Sequence, residues 1–172
     1  MQLDGDDFKL FGLARGFALD RSELDARRRR LQAEVHPDRF ASADAASRRR
    51  AMQGAVRVNE AYERLKDPLR RAAYLCELNG APIRAEDNTA MPEDFLMQQM
   101  TWREALEEAH APGEIEQVAA ELEAYRAAAY RRLQATIDGA GDFASAAEQV
   151  RALMFVERFA DDVDERRARE AH

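Results

Sequence analysis

The sequence predicts an all-α protein: a small helical hairpin at the N-terminus, then an antiparallel three-helix bundle. Apolar residues recur at helical spacing through every long segment, and no stretch alternates with period two over a useful length. Glycine and proline number 8 and 5 in 172 residues, too few for a turn-rich sandwich or a disordered chain. With 46% hydrophobic and 34% charged residues, the chain can bury a core and still clothe its helices in polar faces.

Residues 6–13 open with Phe8, Phe11 and Leu13 in a short helical pattern, closed by Gly12 to Gly16. Asp20, with Glu23 three residues later, reads as a capping box. The helix behind it carries Leu24, Leu31 and Val35 on one stripe and ends near His36, because Pro37 disfavours helical geometry in the residue before it. The next helix is expected over 43–66, with Ala51, Ala55, Val58, Tyr62 and Leu65 on one face, and Asp67-Pro68 stops it. Two such stripes joined by a short polar loop should close into an antiparallel hairpin. A short helix over 69–78 ends at Asn79-Gly80, and residues 80–92, with Gly80, Pro82, Asn88 and Pro92, read as a linker.

Beyond it, 93–110 carries Phe95, Gln99, Trp102, Leu106 and Ala109 on one face, broken by Pro112-Gly113. The pattern resumes over 114–138 with Ile115, Val118, Leu122, Tyr125, Ala129 and Leu133, and Gly139 to Gly141 breaks it again. The last helix, over 143–168, sets Phe143, Val150, Leu153 and Ala160 on its stripe. The expected organisation is therefore a first domain over 1–79, the linker over 80–92, and a bundle over 93–172.

Composition excludes several classes of function. No run approaches 18 apolar residues, so no membrane span is expected. A formal charge of −7 disfavours general nucleic-acid binding, which needs a cationic surface. The start of the chain carries Asp4, Asp6 and Asp7 where a signal peptide would be basic, and Cys76 alone cannot make an internal disulfide, so a cytoplasmic protein is expected. His36, His110 and His172 lack metal-ligand spacing, and no phosphate loop or Ser/His/Asp arrangement is present. No catalytic residue, metal or cofactor is expected. Charge is unevenly spread: residues 21–50 hold nine Arg against five acids, while 91–123 hold nine acids against Arg103 alone. A basic front and an acidic middle suit two surfaces for two partners, although solvated helices also vary in this way.

The most specific feature is His36-Pro37-Asp38 between two antiparallel helices. It follows an Arg-rich helix and precedes one that ends Asn59-Glu60-Ala61-Tyr62-Glu63-Arg64-Leu65-Lys66-Asp67-Pro68. Over roughly residues 6–75 the sequence resembles the J-domain family of co-chaperones. The resemblance implies a domain that docks on a DnaK-type chaperone in its ATP state and speeds ATP hydrolysis there. Arg27, Arg28, Arg29, Arg30, His36, Pro37, Asp38 and Arg39 are then the candidate chaperone-binding residues. Four consecutive arginines surround most of a helix, so they cannot all face one partner. Arg28 falls in line with Leu24, Leu31 and Val35, where the family usually has an aromatic. Either it lays its stem along the core edge or it joins the docking face.

In the second half, Met97, Thr101, Glu104 and Glu108 recur at i, i+4, i+7 and i+11, off the core stripe and beside Leu96 and Met100. Exposed Met and Leu followed by acids suit a partner surface, unless the apolar end packs under the linker. Phe155 sits about 160° from the mean direction of Val150, Leu153 and Ala160, at an interface or against the front domain. The whole order, with Phe11-Gly12-Leu13, His36-Pro37-Asp38-Arg39-Phe40-Ala41, Phe95-Leu96-Met97 and Val150-Arg151-Ala152-Leu153-Met154-Phe155, is similar to the HscB family of iron–sulfur cluster assembly.

That resemblance implies a bundle that delivers an IscU-like scaffold protein to an HscA-like chaperone, with no cluster held by this chain. Its scaffold-binding positions carry over onto Leu96, Met97, Met100, Thr101, Glu104, Glu108 and Phe155. Thr101 stands where the family usually has an acid, which weakens the electrostatic share. A J-protein with a different client and a helical protein that merely oligomerises are the alternatives.

Overall fold

The computed structural model describes residues 5–84 and 93–170, and every helix or strand assigned among them is helical. The chain divides into two compact units, Met1–Leu75 and Cys76–His172. Most of the linker expected over 80–92 lies outside the described residues.

The first unit contains α1 (Asp7–Phe11), α2 (Arg21–Val35), a short 3-10 turn (Pro37–Phe40), α3 (Ala45–Lys66) and most of α4 (Pro68–Leu78). α1 begins where the Asp6 carboxylate accepts a hydrogen bond from Lys9 N–H. It ends at Gly12, whose φ of +65° allows Gly12 and Leu13 to donate to the Lys9 and Phe8 carbonyls and close a Schellman motif. Asp20 caps α2 by accepting from Ser22 and Glu23 N–H. In place of the reciprocal half of the expected capping box, the Glu23 carboxylate takes the Arg27 guanidinium one turn on. α3 starts two residues later than the periodicity alone suggests, because Asp44 caps it through Ser47 N–H at 2.7 Å.

α2 and α3 pack as the expected hairpin over Phe8, Leu24, Val58, Ala61 and Leu65, all essentially inaccessible to water. Leu31 is only half-buried at the edge of that core. Asp7 is the most deeply buried of the charged groups there. Its carboxylate receives Arg57 at 2.6 Å and Arg64 at 2.9 Å, its backbone N–H donates to Tyr74 Oη, and Arg64 stacks 4.7 Å above the Tyr74 ring. One residue thus ties α1 to α3 and α4.

The second unit holds the end of α4 and the antiparallel α5 (Glu93–Glu108), α6 (Pro112–Gln134) and α7 (Phe143–Glu170). Trp102 anchors it, edge-on to Tyr125 at 4.9 Å and stacked on Phe159 at 5.9 Å. Ile115, Leu133, Val150, Leu153, Val156 and Val163 complete the core. Both ends of α6 differ from the sequence expectation. Pro112 and Gly113 form the first turn of α6 and do not precede it, since proline at the first helical position gives up only an N–H that has no helical partner. The Glu114 carboxylate then accepts from both His110 and Ala111 N–H. At its other end α6 loosens into a π-helical turn, Ala135–Ala140, before Gly141 with φ +63°. Buried Arg151 of α7 donates to the Ile83 carbonyl at 2.9 Å, so the residues just past α4 are anchored on the bundle.

Candidate partner-docking sites

His36 leaves α2 with extended backbone, and Pro37 opens the 3-10 turn that follows. The Asp38 N–H donates to His36 Nδ1 at 3.3 Å and Arg39 N–H to the His36 carbonyl at 3.0 Å, so the turn is held by bonds within the loop. Its functional atoms face solvent: the Asp38 side chain is 91% exposed and that of His36 57%. Arg39 reaches back to the Ala33 carbonyl near the C-terminal end of α2. With Glu34, Phe40, Ser47 and Arg50, it lines a crevice where the loop meets the start of α3.

The structure separates the four arginines of α2. Arg27 is half-buried and donates to the Phe11 and Gly12 carbonyls and to Glu23, which makes it a clamp between α1 and α2. Arg28 lays its guanidinium 4.0 Å over the Tyr62 ring, with a buried Nε that has no hydrogen-bond partner. It thus takes the core-edge option of the two expected for it. Arg29 and Arg30 are exposed and make no hydrogen bond or ion pair among the described residues. Of the arginines expected to dock, Arg27 and Arg28 are therefore occupied inside the fold, whereas Arg29 and Arg30 are available.

On α5 the predicted outer face is accessible. Leu96, Met97 and Met100 are 46%, 60% and 57% exposed, and Thr101, Glu104 and Glu108 continue the exposed face toward the helix C-terminus. Thr101 Oγ1 donates to the Met97 carbonyl, so it presents a satisfied hydroxyl where the resemblance led to the expectation of an acid. Phe155 is half-buried on α7, in a crevice shared with Gln99 and Arg103 of α5 and with Arg158 and Asp162 of its own helix.

Sequence reasoning missed Arg103 and Arg158 as neighbours of Phe155. The i+3 spacing of Arg158 was a signal for one of them; the approach of Arg103 from another helix left none. It also missed Met52 and Val56, exposed one turn apart on α3.

Among the described residues no group of three His, Cys, Asp or Glu side chains could hold a metal ion, and no helix is long and apolar enough to cross a membrane. His172 lies outside those residues. Burial pushes the Cys76 thiol up to about 11, far from the range of a reactive thiolate at neutral pH.

Comparison with known proteins spans both units of the chain. The profile of the HSCB C-terminal oligomerisation domain matches residues 91–164. The chain is 46% identical over 168 residues to the co-chaperone protein HscB homolog of Azoarcus sp. (strain BH72), covering 96% of this chain and 95% of that one. It is 50% identical over 166 residues to the homolog of Burkholderia multivorans, covering 95% and 94%. Among solved structures, chaperone HscB from Vibrio cholerae superposes with a TM-score of 0.81 at 35% identity, covering 94% of this chain and 96% of that one. The human co-chaperone HscB superposes with a TM-score of 0.87 at 26% identity, covering 93% and 81%.

Proposed function

The chain belongs to the HscB co-chaperone family, and from that premise we propose that it is a two-ended adaptor for iron–sulfur cluster assembly. Its first unit docks on an HscA-like, DnaK-type chaperone and stimulates the chaperone's ATPase. Its second holds an IscU-like scaffold protein and delivers it to that chaperone in the cytoplasm. The observation that carries this reading is the pair of exposed clusters, one in each unit, made of side chains the fold leaves facing solvent. In the first unit these are Asp38, His36, Arg29 and Arg30; in the second they are Leu96, Met97 and Met100.

The chemistry follows from the side chains. Arg29 and Arg30 attract an acidic patch on the chaperone and steer the encounter. Asp38 offers a carboxylate acceptor at a turn whose proline has already fixed one backbone torsion, so little entropy remains to be lost on docking. Arg27 and Arg28 serve docking indirectly, by holding α2 against α1 and against Tyr62. On α5, Met97 and Met100 adapt to an irregular apolar contact, while Glu104 and Glu108 favour a basic segment beyond it. No bond is made or broken by this chain. The acceleration belongs to the chaperone, whose hydrolysis-competent state gains population when the loop binds it preferentially.

Two variants test the two ends separately. His36→Gln should abolish stimulation of chaperone ATP turnover while circular dichroism and the thermal midpoint stay at wild-type values, because the side chain is exposed and its hydrogen bond lies within its own turn. Leu96→Ala combined with Phe155→Ala should weaken scaffold binding in calorimetry by about tenfold or more, the scale of interface anchors. Undiminished stimulation by the first variant contradicts the chaperone end, and an unchanged affinity of the second contradicts the scaffold end.

A further inference from the structure

We propose that Arg103 and Arg158 form a carboxylate-recognition site beside Phe155, which receives an acidic side chain of the partner docked on α5. This rests on the reading of that helix as the scaffold-docking face.

Four observations carry it. First, both guanidinium-bearing residues line the crevice that contains Phe155, and the Arg158 guanidinium stands 5.7 Å from the centre of the Phe155 ring. Second, neither arginine makes a hydrogen bond or ion pair among the described residues. Elsewhere in the bundle Arg126, Arg151, Arg166 and Arg167 are engaged by Glu157, the Ile83 carbonyl, the Ala109 carbonyl and Glu116. Third, among the described residues that line the crevice Asp162 is the one carboxylate, so two cations meet one anion there. Fourth, the site continues the apolar patch: at 100° per residue, Arg103 lies about 20° around α5 from Leu96 and about 60° from Met100.

A docked partner would shield this crevice from water, which strengthens the attraction of the surplus positive charge for a carboxylate. Arginine is suited to the task because its planar fork can grip both oxygens at once. The face then has a polarity that its net acidity hides. A partner apolar group sits on Leu96, Met100 and Phe155, an acid meets Arg103 and Arg158 on the α7 flank, and a base meets Glu104 and Glu108 on the outer face. Opposite charges at two edges of one apolar patch fix the partner's orientation and reject one docked the other way round.

The test is calorimetric titration of the full-length protein with the IscU-like scaffold at low and high salt. Arg103→Ala with Arg158→Ala should weaken binding by about tenfold at low ionic strength and by much less at ~0.5 M, where the Debye length is short. Arg103→Lys with Arg158→Lys, which keeps the charge, should recover most of that loss; Arg131→Ala, an exposed arginine on α6, should change nothing. If the double alanine variant binds like wild type while Leu96→Ala with Phe155→Ala binds weakly, the carboxylate site is overturned and the docking face stands. If the alanine variant is weakened equally at both salt concentrations and lysine does not rescue it, the arginines act by packing and the proposal fails. If neither pair of substitutions weakens binding, the docking face itself is wrong and the proposal falls with it.

Discussion

Asp7 is a fully buried carboxylate that meets two guanidiniums, and the first unit is built around that charge. Removing one member of a buried ion cluster leaves uncompensated charge, so Asp7→Ala should lower stability to urea by about 3 kcal/mol. A loss too small to measure would show that Arg57 and Arg64 find water as readily as they find Asp7. The arginines of α2 separate by the same logic. Arg27→Ala should lower the unfolding midpoint through its lost bonds to Phe11 and Gly12, whereas Arg29→Ala with Arg30→Ala should leave that midpoint alone and slow chaperone association in a salt-dependent way. The opposite assignment of effects would refute this division. Cys76 is buried with its thiol held up to about 11, so native protein at pH 8 should resist a thiol reagent that labels the unfolded chain quickly. The docking role of Arg29 and Arg30 was expected from the sequence, but the structural roles of Asp7 and Arg27 were not, since each depends on contact with a distant segment: Asp7 reads as one of several N-terminal acids, and Arg27 as one of four equal arginines.

The helices are bounded by side-chain caps, and these carry a pH dependence. Asp20 and Asp44 are held below the ordinary value of 3.8 by hydrogen bonds, to Ser22 and Glu23 in one case and chiefly to Ser47 in the other. A carboxyl whose folded value is depressed stabilises the protein above its unfolded value and loses that contribution as the pH falls through the folded one. The unfolding midpoint should therefore fall as the pH drops below about 4. Asp44→Asn, which keeps a cap but does not titrate, should shallow that fall; an identical acid profile would show that the cap contributes nothing to it. Most helices were legible from periodicity and from Pro37, Asp20 and Asp67-Pro68, because those signals are local. The start of α6 was not: Pro112-Gly113 looks like a break until Glu114 is seen capping from within the helix. The π-helical turn at Ala135–Ala140 was hidden because the apolar stripe runs into it without a fault, down to buried Ile137.

At the scale of the whole molecule, two units each bury a core and each leave a cluster of side chains that the fold does not need. The outer face of α5 was readable because residues off the core stripe of a packed helix must face outward. The pairing of Phe155 with Arg103 was not, because it joins two helices whose register the sequence does not display. On the proposed reading the two clusters bind partners, and the property to test is linkage: chaperone turnover that rises because this protein brings a client to it. The most direct test is steady-state ATP turnover by the HscA-like chaperone with this protein, with the IscU-like scaffold, and with both. The two together should stimulate far beyond the product of their separate effects, and Leu96→Ala with Phe155→Ala should remove the excess but keep the stimulation by this protein alone. Stimulation that the scaffold never increases would contradict it.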